Sequence, residues 1–417
     1  MPTRGHARPS HGPHALEAPS RGAHGIRTPA RRRTTAEPGT RTSAFDETHF
    51  AQTPDFTVGV EEELVLVDPD DGRLVDRPEP IEADVAAGGD RLQTEIFAST
   101  VETTTPVCGD AIELGRQMRR LRGRVAEAAR DQGLAVAATG THPFARWERE
   151  TTTEADRYDE LVEELQLPMR SDLVFGQHVH VSVGSPEAAI RVTNDLCTFL
   201  PLLAAVSTNA PFWRGMDTGL ASARLNVSEG MPRSGLPPTF PDWDTFAAHI
   251  GHLEAVDALE DMTKVWWDVR PRPDLGTVEV RIADLPTRVE TSIAVAALTQ
   301  AIVVHLARTP DRDPILPEPP AIVAENRWRA VRHGVHARFV EPQADGQARL
   351  RTVPETLDRV LTGLADTIGR LGIETQARRL RSIVQEGRTG ADRQRAVYAR
   401  EGDLRAVVAD LADRTVP

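Results

Sequence analysis

The sequence predicts an α+β protein with a largely antiparallel sheet. Strand-like segments occupy much of residues 57–183 and 264–284, and two of them are separated only by a Pro-Asp-Leu-Gly turn, which reads as a hairpin. Helical periodicity dominates from Pro286 to the end, so strands and helices are partly segregated along the chain. No Gly-rich turn follows a strand as a Rossmann or P-loop core requires, and no fixed-period repeat is visible.

Residues 1–54 are rich in Pro, Gly, Arg, Thr and His and lack aliphatic periodicity, so they are expected to be a disordered leader. A single domain, mostly helical in its C-terminal part, is expected over 55–417. "TVGVEEELVLV" and "RLQTEIFASTVETTT" read as its first two strands. A helix from Asp110 to Gln132 follows, with Leu114, Met118, Leu121, Val125 and Ala129 on one face. "LAVAATGTH" reads as a strand, Glu154 to Leu165 as a helix, and "DLVFGQHVHVSV" as a long strand alternating strictly from Gln177. An apolar helical stretch covers Pro186 to Phe212. The loop from Trp213 to Trp243 is too long for an ordinary connection and marks a candidate functional segment. "KVWWDVRP" and "GTVEVRIAD" form the expected hairpin, and the helical remainder breaks around Pro342 to Pro354.

The formal net charge of −13 excludes a general nucleic-acid binder but leaves room for a local basic site. Lys264 is the only lysine and sits in no Gly-rich turn, so any phosphate is expected to be held by arginine forks or by a metal. Cys108 and Cys197 form no CxxC pair, which argues against a disulfide framework or a thiolate zinc site and makes the reducing cytoplasm the default location. No uninterrupted apolar run approaches ~18 residues, so no membrane span is expected.

Three consecutive glutamates interrupt the apolar first strand. Alternation puts Glu61 and Glu63 on one face, ~7 Å apart at Cα, while Glu62 points with Val60 and Leu64. Such a pair reads either as a solvated edge or as a divalent-metal edge. The pattern recurs. Glu95 and Glu102 lie on the second predicted strand, His178, His180 and Ser182 share a face of another, and Glu279 and Arg281 share a face of the last. A wet face so weighted towards carboxylate and imidazole suits Mg²⁺ or Mn²⁺ with a polyphosphate, whereas Zn²⁺ prefers more nitrogen or sulfur. Arg224 and Arg233 fall in the long loop, and Arg270 and Arg272 flank the hairpin turn, supplying guanidinium for phosphate. A metal-dependent hydrolase or a non-catalytic scaffold would fit the same residues.

The blocks "TVGVEEELVLVD", "VETTTPVC", "GTHPF", "GQHVHVSV", "PFWRGMDTGLASARLNVSEGMPRSGLPP" and "WWDVRPRPDLGTVEVRIAD" occur in the order seen in the glutamate-cysteine ligase type 2 family of carboxylate-amine ligases, which the chain resembles over roughly residues 55 to 375. The resemblance implies a glutamine-synthetase-like catalytic fold whose curved sheet forms a bowl with helices on its outer face. It implies ATP-dependent formation of γ-glutamylcysteine from glutamate and cysteine through a γ-glutamyl phosphate, or the same chemistry on another amine, with ADP and phosphate released. It also implies Glu61, Glu63, Glu102, His178 and Glu279 as metal ligands and Arg224 and Arg281 as catalytic contacts to phosphate; Arg233, from its place in the long loop, is expected as a further nucleotide contact. Expected cofactors are ATP and Mg²⁺, with Mn²⁺ as a substitute. Expected partners are these small molecules, with neither nucleic acid nor membrane among them and a homo-oligomer left open. Glutathione biosynthesis in the cytoplasm is the implied setting. Glu95 reaches the face of Glu102 only through a bulge or strand break. Leu64, Phe175 and Ala223 depart from the family's commoner residues, and Ala223 bears on the pocket wall and hence on substrate choice.

Overall fold

The computed structural model describes residues 48–416 apart from 51, 88–91 and 311. The leader expected over residues 1–54 lies outside the described residues up to position 47. His49 and Phe50, within that stretch, pack on the sheet hairpin. His49 N donates to Pro273 O at 2.8 Å, and the buried Phe50 ring meets Trp243 edge-on at 5.7 Å.

Seven strands form the central sheet: β1 (Val58–Val67), β2 (Leu92–Thr94), β3 (Thr100–Thr104), β4 (Ala135–Ala137), β5 (Gly176–Ser182), β6 (Val269–Arg272) and β7 (Thr277–Asp284). Their order is β6-β7-β5-β1-β3-β2, with β4 also on β1, and every pairing is antiparallel. The stretch expected as one strand, "RLQTEIFASTVETTT", is instead a hairpin of β2 and β3, because the chain leaves extended geometry between Glu95 and Ser99. "KVWWDVRP" is likewise divided. Trp266 and Trp267 pair in parallel with Ser234 and Gly235 of the long loop, and only Val269–Arg272 enters the hairpin.

One sheet face is apolar because Val58 and Val60, Val179 and Val181, and Val278 and Val280 alternate with polar residues. It packs against helices α1 (Ala111–Asp131), α2 (Pro186–Leu196), α3 (Leu200–Ser207) and α4 (Val289–Arg308). Asp110 caps α1, accepting from the amides of Ile112 and Glu113 at 2.8 Å each. Leu114, Met118, Leu121, Val125 and Ala129 are buried, as the helical period requires. From Pro286 onward the described residues are helical except for a hairpin, Arg338–Pro342 with Ala348–Thr352, where the sequence indicated only a break.

The expectation that no segment is apolar enough to span a membrane needs correction. Pro186–Ser207 and Val289–Arg308 are long and apolar enough to do so, although 72% and 83% of their apolar windows are buried inside the protein. Scattered Thr, Asn and Gln interrupt these runs, and such residues are also satisfied inside a core.

Candidate active site

The other sheet face is where the charged residues converge. Strand register sets the pairs directly opposite each other: Glu61 faces His178, Glu63 faces Glu102, and Glu279 faces His180. Residues opposite one another in antiparallel strands share a face, so four strands distant in sequence deliver one wall.

This wall lines a cavity of about 360 Å³ with Glu61, Glu63, Glu102, His178, Arg224 and Arg281 among its residues. Glu61 Oε2 lies 3.1 Å from His178 Nδ1, and its Oε1 lies 3.4 Å from His180 Nε2. Burial pushes this carboxyl up, but hydrogen bonds from the two imidazoles overcome it and hold Glu61 well below the usual carboxylate range. Burial and the Arg281 charge hold His178 below its ordinary value, so the ring is neutral. With Nδ1–H donated to Glu61, the Nε2 lone pair is buried without a hydrogen-bond partner, 3.8 Å from Glu63 Oε1. A ring that donates one N–H to a carboxylate and leaves the other nitrogen bare is dressed as a metal ligand.

Glu95 joins this group. The break between β2 and β3 turns it back, and its carboxyl hydrogen-bonds that of Glu102. Burial first, and then the charges of Glu95, Glu61 and Glu63, push Glu102 well above the ordinary carboxylate value. Glu63 is also raised, chiefly by burial. Crowded carboxyls that must share protons favour a bound cation. Two groups of ligand atoms lie within 4.8 Å of one another: Glu63, Glu102 and His178, and Glu61, His178 and Glu279. The first fits a divalent ion directly. In the second, Glu279 already has cationic partners. It is fully buried and accepts from Arg270 Nε at 2.7 Å, from Arg272 Nη1 at 3.1 Å and from Arg281 Nη1.

The register of β7 against β5 shifts between Val280 and Ala283, beside Arg281, while the Arg281 N–H continues the β6–β7 pairing by donating to Asp268 O at 2.8 Å. Its guanidinium donates to Glu279 and lies 3.4 Å from His178 Nδ1, a contact rather than a hydrogen bond while that nitrogen carries the proton given to Glu61. Arg224 sits in a six-residue helix, Ala223–Ser228, inside the long loop. Nη2 donates to Arg281 O at 3.1 Å, while Nε is buried and unpartnered. Gly176 makes room for it: a Cβ there would lie 2.9 Å from Arg224 Cζ.

Arg233 does not line the cavity. It stacks over Trp266, which does, at 5.9 Å, and donates to Lys264 O at 3.0 Å. Ala223 is buried and does not itself line the cavity, although the next residues, Arg224 and Leu225, do. Sequence reasoning left Asp172, Asp268 and Arg327 unnamed. Asp172 lines the cavity, accepts from Ser228 Oγ at 3.2 Å and is pushed up by burial to about 6. Arg327 comes from the helical half, Pro320–His333, to clasp Asp268 at 2.5 Å. Nothing in the local pattern around either residue signals their meeting across 59 positions.

A sequence profile of glutamate-cysteine ligase family 2 matches residues 57–410. A Rubrobacter xylanophilus protein provisionally named glutamate–cysteine ligase 2-1 is 40% identical over 363 residues, covering 87% of this chain and 95% of that one. A Solibacter usitatus protein provisionally named glutamate–cysteine ligase 2 is 35% identical over 370 residues, covering 87% and 94%. Among solved structures, the glutamate–cysteine ligase of Francisella tularensis in complex with AMP superposes with a TM-score of 0.64 at 12% identity, over 87% of this chain and 89% of that one. A bifunctional glutathione synthetase from Pasteurella multocida gives 0.64 at 14% identity over 87% of this chain, which spans about half (52%) of that enzyme's length. These likenesses establish the glutamine-synthetase-like α+β fold, with its curved sheet as a bowl and helices outside it. The chain belongs to glutamate-cysteine ligase family 2 and is an ATP-dependent carboxylate–amine ligase.

Proposed function

We propose that the protein joins the γ-carboxylate of glutamate to the amine of cysteine through a γ-glutamyl phosphate, giving γ-glutamylcysteine, ADP and phosphate. The observation that carries this reading is the juxtaposition, on one concave wall, of the Glu63–Glu102–His178 group with the guanidiniums of Arg224 and Arg281. A carboxylate is a poor electrophile, and converting it to an acyl phosphate provides a leaving group.

In this reading Glu63, Glu102 and His178 would hold one Mg²⁺, and Glu61 and Glu279 would offer oxygens to a second. Mg²⁺ held there would screen the triphosphate charge and polarise the transferring phosphoryl group. Arg281 exchanges part of its contact with Glu279 for phosphate oxygens, and Arg224, with its spare Nε, steadies the acyl phosphate. Arg233 acts from behind Trp266, keeping that ring in the cavity wall. The cavity volume suits small substrates. The cytoplasm, which supplies ATP and reduced cysteine, is the proposed setting, with no membrane or nucleic-acid partner. Residues 55–417 are proposed as one catalytic domain.

The test is ADP release with Mg²⁺ and all pairs of amino acids, with the product identified by mass spectrometry. Release that requires glutamate and cysteine together and yields γ-glutamylcysteine is the expected result. A different amine in the product would keep the chemistry and replace the acceptor, and hydrolysis that needs no ATP would remove both.

A further inference from the structure

A second cavity, of about 560 Å³, opens on the helical side of the molecule. Its wall carries five arginines: Arg288, Arg379, Arg388, Arg393 and Arg414. It also carries three acids, and each of these is engaged. Asp410 takes the fork of Arg393, at 3.1 Å from Nε, and lies 3.9 Å from Arg414 Nε. Asp392 closes the capping box of Thr389 and meets His336 at 3.1 Å. Glu386 accepts from Ser382 Oγ at 2.5 Å. Among the described residues no carboxylate lies within ion-pair distance of Arg288, Arg379 or Arg388.

Five cations against three anions is a local positive excess in a chain of net charge −13. Electrostatics alone would scatter such groups, since like charges at close range repel and a net acidic surface offers partners elsewhere. Arg414 registers that repulsion: burial, and then Arg288, Arg393 and Arg379, pull it below its usual value. Arg379 Nε is buried and unpartnered, an unmet donor beside the same space.

We propose that this cavity is a second, non-catalytic binding site for a small phosphoryl oxyanion, of the inorganic phosphate or pyrophosphate type. Guanidinium forks match phosphate oxygens bidentately. The volume accommodates more than a single tetrahedral anion. No aromatic ring lines the cavity among the described residues, so a nucleotide base would have nothing to stack on. The wall is also continuous with the catalytic sheet. Pro286 and Thr287 line it, and their carbonyls accept from Arg122 at 2.9 and 2.6 Å, while the same guanidinium grips Glu62 between the two active-site glutamates of β1.

The test is calorimetric titration of the full-length protein, in chelator, with pyrophosphate and separately with inorganic phosphate. Saturable binding is expected to persist in Arg224→Ala, which removes an active-site guanidinium, and to weaken at least tenfold in Arg288→Ala/Arg388→Ala. Tighter binding of pyrophosphate than phosphate assigns the longer anion, and the reverse order assigns the shorter one. No binding by the wild type, loss in Arg224→Ala, or unchanged binding in the double variant overturns the proposal. Phenylglyoxal labelling of the wild type, mapped by peptide mass spectrometry, gives a readout independent of variant folding. Pyrophosphate is expected to protect Arg288 and Arg388, and equal labelling with and without it also overturns the proposal.

Discussion

Arg122 holds both carboxylate oxygens of Glu62, at 2.8 Å through Nε and 2.7 Å through Nη2, where both side chains are almost wholly removed from water. Ser292 Oγ adds a third bond to Glu62 at 2.6 Å. The middle glutamate of the triplet is therefore a fastening between β1 and the helices behind it, and its neighbours are free to face the cavity. Removing one partner of a buried pair strands the other charge, so Arg122→Leu should cost about 3–5 kcal/mol of stability. Urea unfolding checks this. A loss no larger than that of an exposed pair would show that the fastening is not structural.

Glu61 and Glu279 should part company on mutation. Glu61→Gln removes one charge from a crowded acidic wall, so the variant is expected to stay folded while ATP turnover falls by more than about 100-fold. Glu279→Gln leaves Arg270, Arg272 and Arg281 without their shared anion. It should lose about 3–5 kcal/mol as well as activity. Melting curves beside an ADP-release assay separate the two outcomes, and equal melting temperatures would contradict the structural role of Glu279.

Gly176→Ala should act through Arg224. The added methyl meets the guanidinium, with Cζ only 2.9 Å away, and must push it out of place. A misplaced phosphate contact costs on the order of 100-fold in rate. The check is steady-state kinetics at saturating ATP, with a far-ultraviolet spectrum to show that the sheet is intact. Undiminished kcat would mean that Arg224 has no part in the chemistry.

Asp172 supplies a pH signature. Burial raises its carboxyl from 3.8 to about 6. Between these values the folded state binds more protons than the unfolded chain, so stability is fully present below pH 3.8 and is lost as pH rises through 6. The ionised form therefore costs up to about 3 kcal/mol near neutrality. Asp172→Asn should equal the wild type near pH 4 and exceed it at pH 7.5 in denaturant titrations. Parallel curves at both pH values would refute the assignment.

Much of this site was legible in the chain because strand alternation is a rigid rule. Alternation alone put Glu61 with Glu63, His178 with His180 and Glu279 with Arg281 on the polar face of each strand, and the family resemblance implied that these faces meet at one site. The β2–β3 hairpin was not legible. "TEIFAS" has a strand's composition, and only tertiary packing makes it turn, which is what brings Glu95 to Glu102. The threefold clasp on Glu279 was equally hidden, because Arg270 and Arg272 read as turn-flanking charges until the hairpin register set them beside it. Arg233 reads as a phosphate contact by residue type, yet its backbone, at φ 54, turns the side chain onto Trp266.

The most direct test counts Mn²⁺ bound to the protein with ATP by electron paramagnetic resonance, in the wild type and in Glu102→Gln and His178→Gln. Saturable Mn²⁺ binding in the wild type that falls in both variants by the ion assigned to Glu63, Glu102 and His178 is the predicted result. Binding that is equally tight and equally numerous in all three proteins would contradict the metal wall on which the ligase mechanism rests.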